Sequence, residues 1–342
     1  MIRARRLAMA LAVAALSLHG AAGAQPKVER YVKAEKNAKA AKTPAEHPDR
    51  HQFGIIGHSF HGADGKPGGA GEAKLKQAIA DESEAALAFV VVTGIKGVEE
   101  PCSDRLYARR RELLDDAKRP LIMLPSASDW SECKNSAGRS VAIERLNRLR
   151  ELFYGEPASL GVRKMPVTRL SSSAKFRSYG ENAHWQVGDV LYATVNLPAN
   201  NNHYRPEAGR NSEFEDRLVA NRFWLNRLFA MAKREKLGAL VLFSEGDVKA
   251  LTQRTGFRAL LDRANPKSDG FDEPRKQIAT LAAKYPGKVL LVDTDLTAPK
   301  AAPMIEWRGN LGHLSLGSQA VEVTVAPGTA QMFTLQGAAD EK

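Results

Sequence analysis

The chain is 342 residues long and basic, with 50 Lys and Arg against 39 Asp and Glu and a formal charge of +11. Its two cysteines exclude a zinc site built from cysteine alone, which needs about four ligands. Beyond the N-terminal leader no stretch holds the roughly 20 consecutive apolar residues that a membrane-spanning helix requires.

Arg3, Arg5 and Arg6 precede an apolar stretch from Leu7 to Leu18, and Ala22-Gly23-Ala24 supplies small residues before Gln25. That order predicts a cleavable secretory signal peptide over 1–24, cut after Ala24. The apolar stretch is too short to serve as an anchor, so the mature chain is expected to be periplasmic or secreted. The Arg5–Arg6 pair leaves the Sec and twin-arginine routes both open. Residues 25–51 carry Lys27, Lys33, Lys36, Lys39 and Lys42 among alanines, with Pro44 and Pro48. A segment that buries so little apolar surface does not offset its ordering entropy, which predicts a solvated basic arm. Tyr31 is the single aromatic residue among these lysines; base stacking has little to work with, and nucleic acid is not an expected partner.

Residues 52–335 read as one α/β domain, followed by a short tail at 336–342. Apolar runs predict strands at 53–57, 89–93, 121–124, 190–196, 239–243 and 289–292. Apolar residues at three- and four-residue spacing predict helices at 72–87, 104–117, 141–153 and 213–236. Residues 176–180 and 183–187 resemble an antiparallel pair. The alternating segments at 312–316, 321–325 and 331–335 predict an antiparallel finish, with a turn at 326–329. Parallel units followed by such a finish suggest two sheets packed face to face with helices outside. Trp185, Trp224 and Trp307 lie in apolar patterns and are expected in the core. In an exported chain Cys102 and Cys133 are expected to form a disulfide, closing a loop of roughly 30 residues and contributing about 3–4 kcal/mol.

Ligands of open α/β sheets sit at the carboxyl ends of the strands. Those ends carry Gly57-His58-Ser59-Phe60-His61, Thr93-Gly94-Ile95-Lys96, Pro125-Ser126-Ala127-Ser128-Asp129-Trp130, Asn200-Asn201-Asn202-His203, Ser244-Glu245-Gly246-Asp247 and Asp293-Thr294-Asp295. The serines lack the surroundings of a nucleophile elbow. The glycine-rich run at 65–71 lacks the Gly-Lys-Ser/Thr ending of a phosphate loop.

The ordered set of loops resembles the calcineurin-like metallophosphoesterases. It is nearest to a secreted subgroup whose second and third loops read like Gly-Asp-Ile-Lys…Cys-Ser-Asp and Pro-Gly-Asp-Asn-Glu-Trp…Cys. Ile95-Lys96, Cys102-Ser103-Asp104, Pro125, Trp130, Cys133, residues 148–153 and the Asn200–Asn202 run carry the likeness. The resemblance implies a four-layer α/β/β/α sandwich, two mixed sheets flanked by helices, and a two-metal centre at the loops. The ligands of that centre are largely replaced. His58 stands for an Asp, Phe60 for a His, Gly94 for the bridging Asp and Ala127 for an Asn or Asp. Ser128 stands for the group that handles the leaving group, Glu245 for a lone His, and Asp295 and Thr297 for the last two histidines. Without a bridging carboxylate two cations are not held against their mutual repulsion.

The expectation is therefore an exported non-catalytic relative that needs no cofactor. It would bind an anionic small molecule or another envelope protein through a rim of Asp129, Asn200, Asn201, Asn202, His203 and Asp247. One alternative is an active hydrolase with a remodelled zinc, manganese or iron site on His58, Glu245, Asp293 and Asp295. Another is a structural envelope protein that captures its partner through the basic arm.

Overall fold

The computed structural model describes residues 49–61, 70–84, 86–206, 211–251, 269–297 and 302–336. The predicted signal peptide, nearly all of the predicted arm, residues 65–69 and the tail from 337 lie outside the described residues. His51, assigned to the arm from sequence, already begins the first strand.

Three buried runs form the parallel strands β1 (His51–Ile56), β2 (Phe89–Thr93) and β3 (Leu121–Leu124). The helices α1 (Ala70–Glu84), α2 (Asp104–Asp115) and α3 (Ala142–Phe153) accompany them. Ser103 starts α2 by accepting a hydrogen bond from the Leu106 amide, which satisfies one of the first-turn donors. Two late strands, β11 (Ala320–Val325) and β12 (Phe333–Leu335), complete a sheet of order β12-β11-β1-β2-β3.

The second sheet has seven strands in the order β4-β5-β6-β7-β8-β10-β9. These are β4 (Thr168–Arg169), β5 (Ala183–Val187), β6 (Val190–Thr194), β7 (Ala239–Ser244), β8 (Lys288–Asp293), β9 (Glu306–Arg308) and β10 (Leu311–Ser315). Strands β6, β7, β8 and β10 are mutually parallel, and the edges are antiparallel. Its helices are α4 (Ser212–Arg234) and α5 (Asp272–Ala283).

Alternation along the strands sorts side chains into three cores. In β7, Val241 and Phe243 join Phe53, Phe89, Trp185, Tyr192 and Val323 in a core drawn from both sheets. Leu240 and Leu242 point the other way, onto Trp224, Leu225 and Leu228 of α4 and Ile278 of α5. On the outer face of the first sheet, Val90 and Val92 pack with Leu75, Leu106, Leu114, Leu146 and Leu149 of α1–α3. The chain is thus an α/β protein of two mixed sheets, each carrying helices on its outer face.

Four sequence expectations change. Residues 176–180 are not a strand: Ala174–Phe176 is a single 3₁₀ turn, and β5 pairs with the short β4 and with β6. The finish is only partly antiparallel, because β10 runs parallel to β8. Trp307 is 40 % exposed and stacks on Phe333 rather than entering the core. Helix α5 and strand β9 were not anticipated. No helix among the described residues is long and apolar enough to cross a membrane.

Candidate functional site: the strand-end loops

The loops after β1, β2, β3, β7 and β8 meet, as expected of parallel strands. After β2 the chain turns at Gly94, whose φ of +74° favours glycine. A Cβ there would lie 2.9 Å from Ser126 Oγ and 3.6 Å from His58 Nδ1. The next two amides, of Ile95 and Lys96, donate to Asp129 Oδ1 at 2.9 and 3.2 Å, and the Ser126 amide donates to Asp129 Oδ2 at 2.8 Å. Asp129 was expected at the ligand rim. The structure instead puts it out of contact with solvent, as the acceptor that joins the second and third loops.

Helix α2 braces the same loops. Arg110 is buried, donates from Nε to the Ile95 carbonyl at 3.0 Å and pairs with Glu72 and Glu100. Glu100 in turn accepts from the Gly97 amide at 2.8 Å. Tyr107 donates its hydroxyl to the Asp129 carbonyl at 2.5 Å. Cys102 and Cys133 form the expected disulfide, with Cα atoms 5.9 Å apart, and staple the two loops together, Cys133 being buried.

Glu245, at the end of β7, is spent in the same way. Its Oε2 accepts from the Ala127 amide at 2.7 Å and the Ala199 amide at 2.8 Å. Its Oε1 lies 3.6 Å from His58 Nε2, an ion-pair distance but too long for a hydrogen bond, and that nitrogen has no hydrogen-bond partner. Burial decides the charge state: it lowers His58 to about 4 and raises Glu245 well above the usual carboxylate range. Both shifts favour the uncharged forms of the pair.

The asparagine run also builds the loop. Asn201, Asn202 and His203 all have φ of 54°. Asn202 is buried, donates to the Gly270 carbonyl at 2.9 Å and accepts from Arg217. Asn201 accepts from the Gly270 amide at 2.9 Å, Asn200 donates to Ser131 Oγ at 2.9 Å, and the His203 ring meets Trp130 edge-on.

A second group gathers from the loop after β7, the end of β8 and strand β10. Asp293 Oδ2 receives a hydrogen bond from His313 Nε2 at 2.5 Å, and Asp247 Oδ1 stands 3.5 Å from the same nitrogen. Asp293 Oδ1 is held by Ser315 Oγ at 2.7 Å and the Asp295 amide at 3.0 Å. Burial acts to lower the His313 pKa, but the bond to Asp293 and the charges of Asp293 and Asp247 outweigh it, so the pKa is raised. Asp295 accepts from the Thr297 amide and hydroxyl at 2.9 and 2.8 Å. A cavity of about 410 Å³ opens here, lined by Asp247, Asp295, Thr297, Glu306, His313 and Ser315 among others.

The four residues expected to share a remodelled site thus divide. His58 and Glu245 face each other, Asp293 turns to Asp247 and His313, and Asp295 reaches both groups, its charge acting on His58 and its Oδ2 accepting from the Asp247 amide. Among the described residues, Asp247, Asp293 and His313 are the group of three whose ligand atoms lie within 4.8 Å of one another. His313 escaped the sequence reading. The signal was the alternation of Gly312-His313-Leu314-Ser315, which puts His313 and Ser315 on one face of a strand beside Asp293. A dinuclear centre does not fit these residues, since Gly94 and Ala127 offer no side-chain donor and Ser126 fills the space beside Gly94. No family model matches the chain, and no curated protein matches it.

Proposed function

We propose that this is an exported, non-catalytic binding protein built on a calcineurin-like phosphoesterase sandwich whose two-metal chemistry has been lost. The observation that carries the reading is Gly94. Its left-handed φ strains any residue with a Cβ, and glycine itself supplies no carboxylate to bridge two ions at this turn. The disulfide supports export, because such bonds persist in oxidising compartments. The basic surplus suits an anionic ligand or an acidic envelope partner. A rebuilt hydrolase on His58, Glu245, Asp293 and Asp295 has less support, because His58 pairs with Glu245 while Asp293 pairs with His313.

The test is a phosphodiester such as bis(p-nitrophenyl) phosphate, offered to the purified chain with and without Mn²⁺. The expected result is no hydrolysis above background, together with a higher unfolding midpoint in millimolar phosphate monoesters, since a ligand of the folded state stabilises it. Turnover that disappears in His58→Ala would overturn the reading in favour of the rebuilt hydrolase. Partner capture that is lost when residues 25–50 are deleted, with no effect of phosphate esters, would transfer the binding role to the arm.

A further inference from the structure

We propose that Asp247, Asp293 and His313 form a binding site for one divalent cation of the zinc or manganese type, separate from the degenerate loops after β2 and β3. The inference goes beyond the binding-protein reading and stands whether or not the rim takes an anion.

The donor set has the right chemistry. Two carboxylate oxygens and one imidazole nitrogen are the hard-to-borderline donors that such ions prefer, and three protein ligands plus water complete a zinc shell. The 3.5 Å between Asp247 Oδ1 and His313 Nε2 is near the spacing of two ligands on one tetrahedral ion about 2.1 Å from each. Asp293 and His313 are now in direct hydrogen bond at 2.5 Å, so they must part by about 1 Å, with the Nε2 proton leaving to solvent as the metal takes the lone pair.

Three further features set this group apart from a chance meeting of acids. Asp293 is pre-aimed: Ser315 Oγ and the Asp295 amide hold Oδ1, which directs Oδ2 at His313. Asp247 is fixed through its backbone, its amide donating to Asp295 Oδ2 at 3.4 Å while Oδ1 accepts from the Lys249 amide at 2.6 Å. The charge is also unbalanced. Asp247, Asp293, Asp295 and Glu306 stand around the group or its cavity, and against these four acids stand His313, which pairs with Asp247 and Asp293, and Lys249, which lines the same cavity. A cation supplies what the imidazole only partly provides, and the cavity has room for water to complete its shell.

The experiment is calorimetric titration of the untagged, EDTA-stripped chain with Zn²⁺ and, separately, Mn²⁺. The expected result is one equivalent per chain for at least one ion and a raised unfolding midpoint. Affinity should fall at least tenfold in Asp247→Asn and in His313→Gln, the latter keeping a hydrogen-bond donor towards Asp293, and should not change in His58→Ala. Circular dichroism of each variant establishes that it is folded. The proposal is overturned if neither ion binds stoichiometrically, if both site variants bind as the wild type does, or if binding is lost in His58→Ala.

Discussion

The loops after β2 and β3 and the end of β8 both gather acids at the same side of the molecule, and they treat them in opposite ways. Asp129 and Glu245 have turned their oxygens to backbone amides and left solvent altogether. Asp247 and Asp293 turn theirs to an imidazole beside an open cavity. A carboxylate that accepts two or three amide hydrogens has its lone pairs committed and works as a brace. One that shares an imidazole with a neighbouring acid beside an open cavity keeps an oxygen with which to bind something else, even where, as at Asp293, a hydroxyl and an amide hold the other. Residue type therefore says less about a strand-end acid than the donors around it.

The largest effect that would sharpen this contrast is expected at Asp129. Asp129→Ala orphans three buried amides, each worth roughly 1–3 kcal/mol, for a loss of about 4 kcal/mol in urea unfolding. Asp247→Asn in the metal-free protein should change stability by less than about 0.5 kcal/mol, as partly exposed substitutions do. Equal costs at the two positions would erase the distinction between brace and ligand.

Acid should weaken the closed region first. His58 is lowered to about 4 from an ordinary 6.5, so its contribution is fully present above 6.5 and is lost as pH falls through 6.5 towards 4. A shift of that size is worth about 3 kcal/mol at 1.36 kcal/mol per unit. His184, lowered to about 4 by burial as well, acts with the same sign. His58→Asn should therefore flatten the fall in unfolding free energy between pH 6.5 and 4 without abolishing it. A fall as steep as the wild type's would mean that His58 is not neutral in the folded chain.

Glu245 acts with the opposite sign. A raised carboxylate pKa contributes stability below its ordinary value, and that contribution is lost as pH rises. Glu245→Gln keeps an oxygen for the amides of Ala127 and Ala199 and cannot ionise, so it should be no less stable than the wild type at pH 7.5. Glu245→Ala removes the acceptor and should cost about 2 kcal/mol. If Gln proved as costly as Ala, an ionised Glu245 paired with His58 would be the better description.

The buried strands were legible because both of their faces are covered. The run 121–124 is uniformly apolar and 89–93 is apolar as far as Thr93, and their predicted and observed bounds agree. Helix α5 was not legible: its first turn contains Pro274 and its apolar face is little more than Ile278, Leu281 and Ala282, so packing rather than periodicity defines it. The brace at Asp129 had a local signal, since Ser126-x-x-Asp129 has the spacing of a capping box around a short helical turn. The union of Asp293 with His313 depends on the parallel pairing of Ser315 with Asp293. No local pattern encodes which strands become neighbours, so the donors could be named while their grouping could not.

Strand β1 lies between β2 and β11, and its partners run from Ala320 to Val325. One edge of the earliest strand to emerge is thus covered only by a segment more than 260 residues downstream, a non-local closure of the kind that slows folding. A nascent chain cannot complete its first sheet while the ribosome still holds that segment.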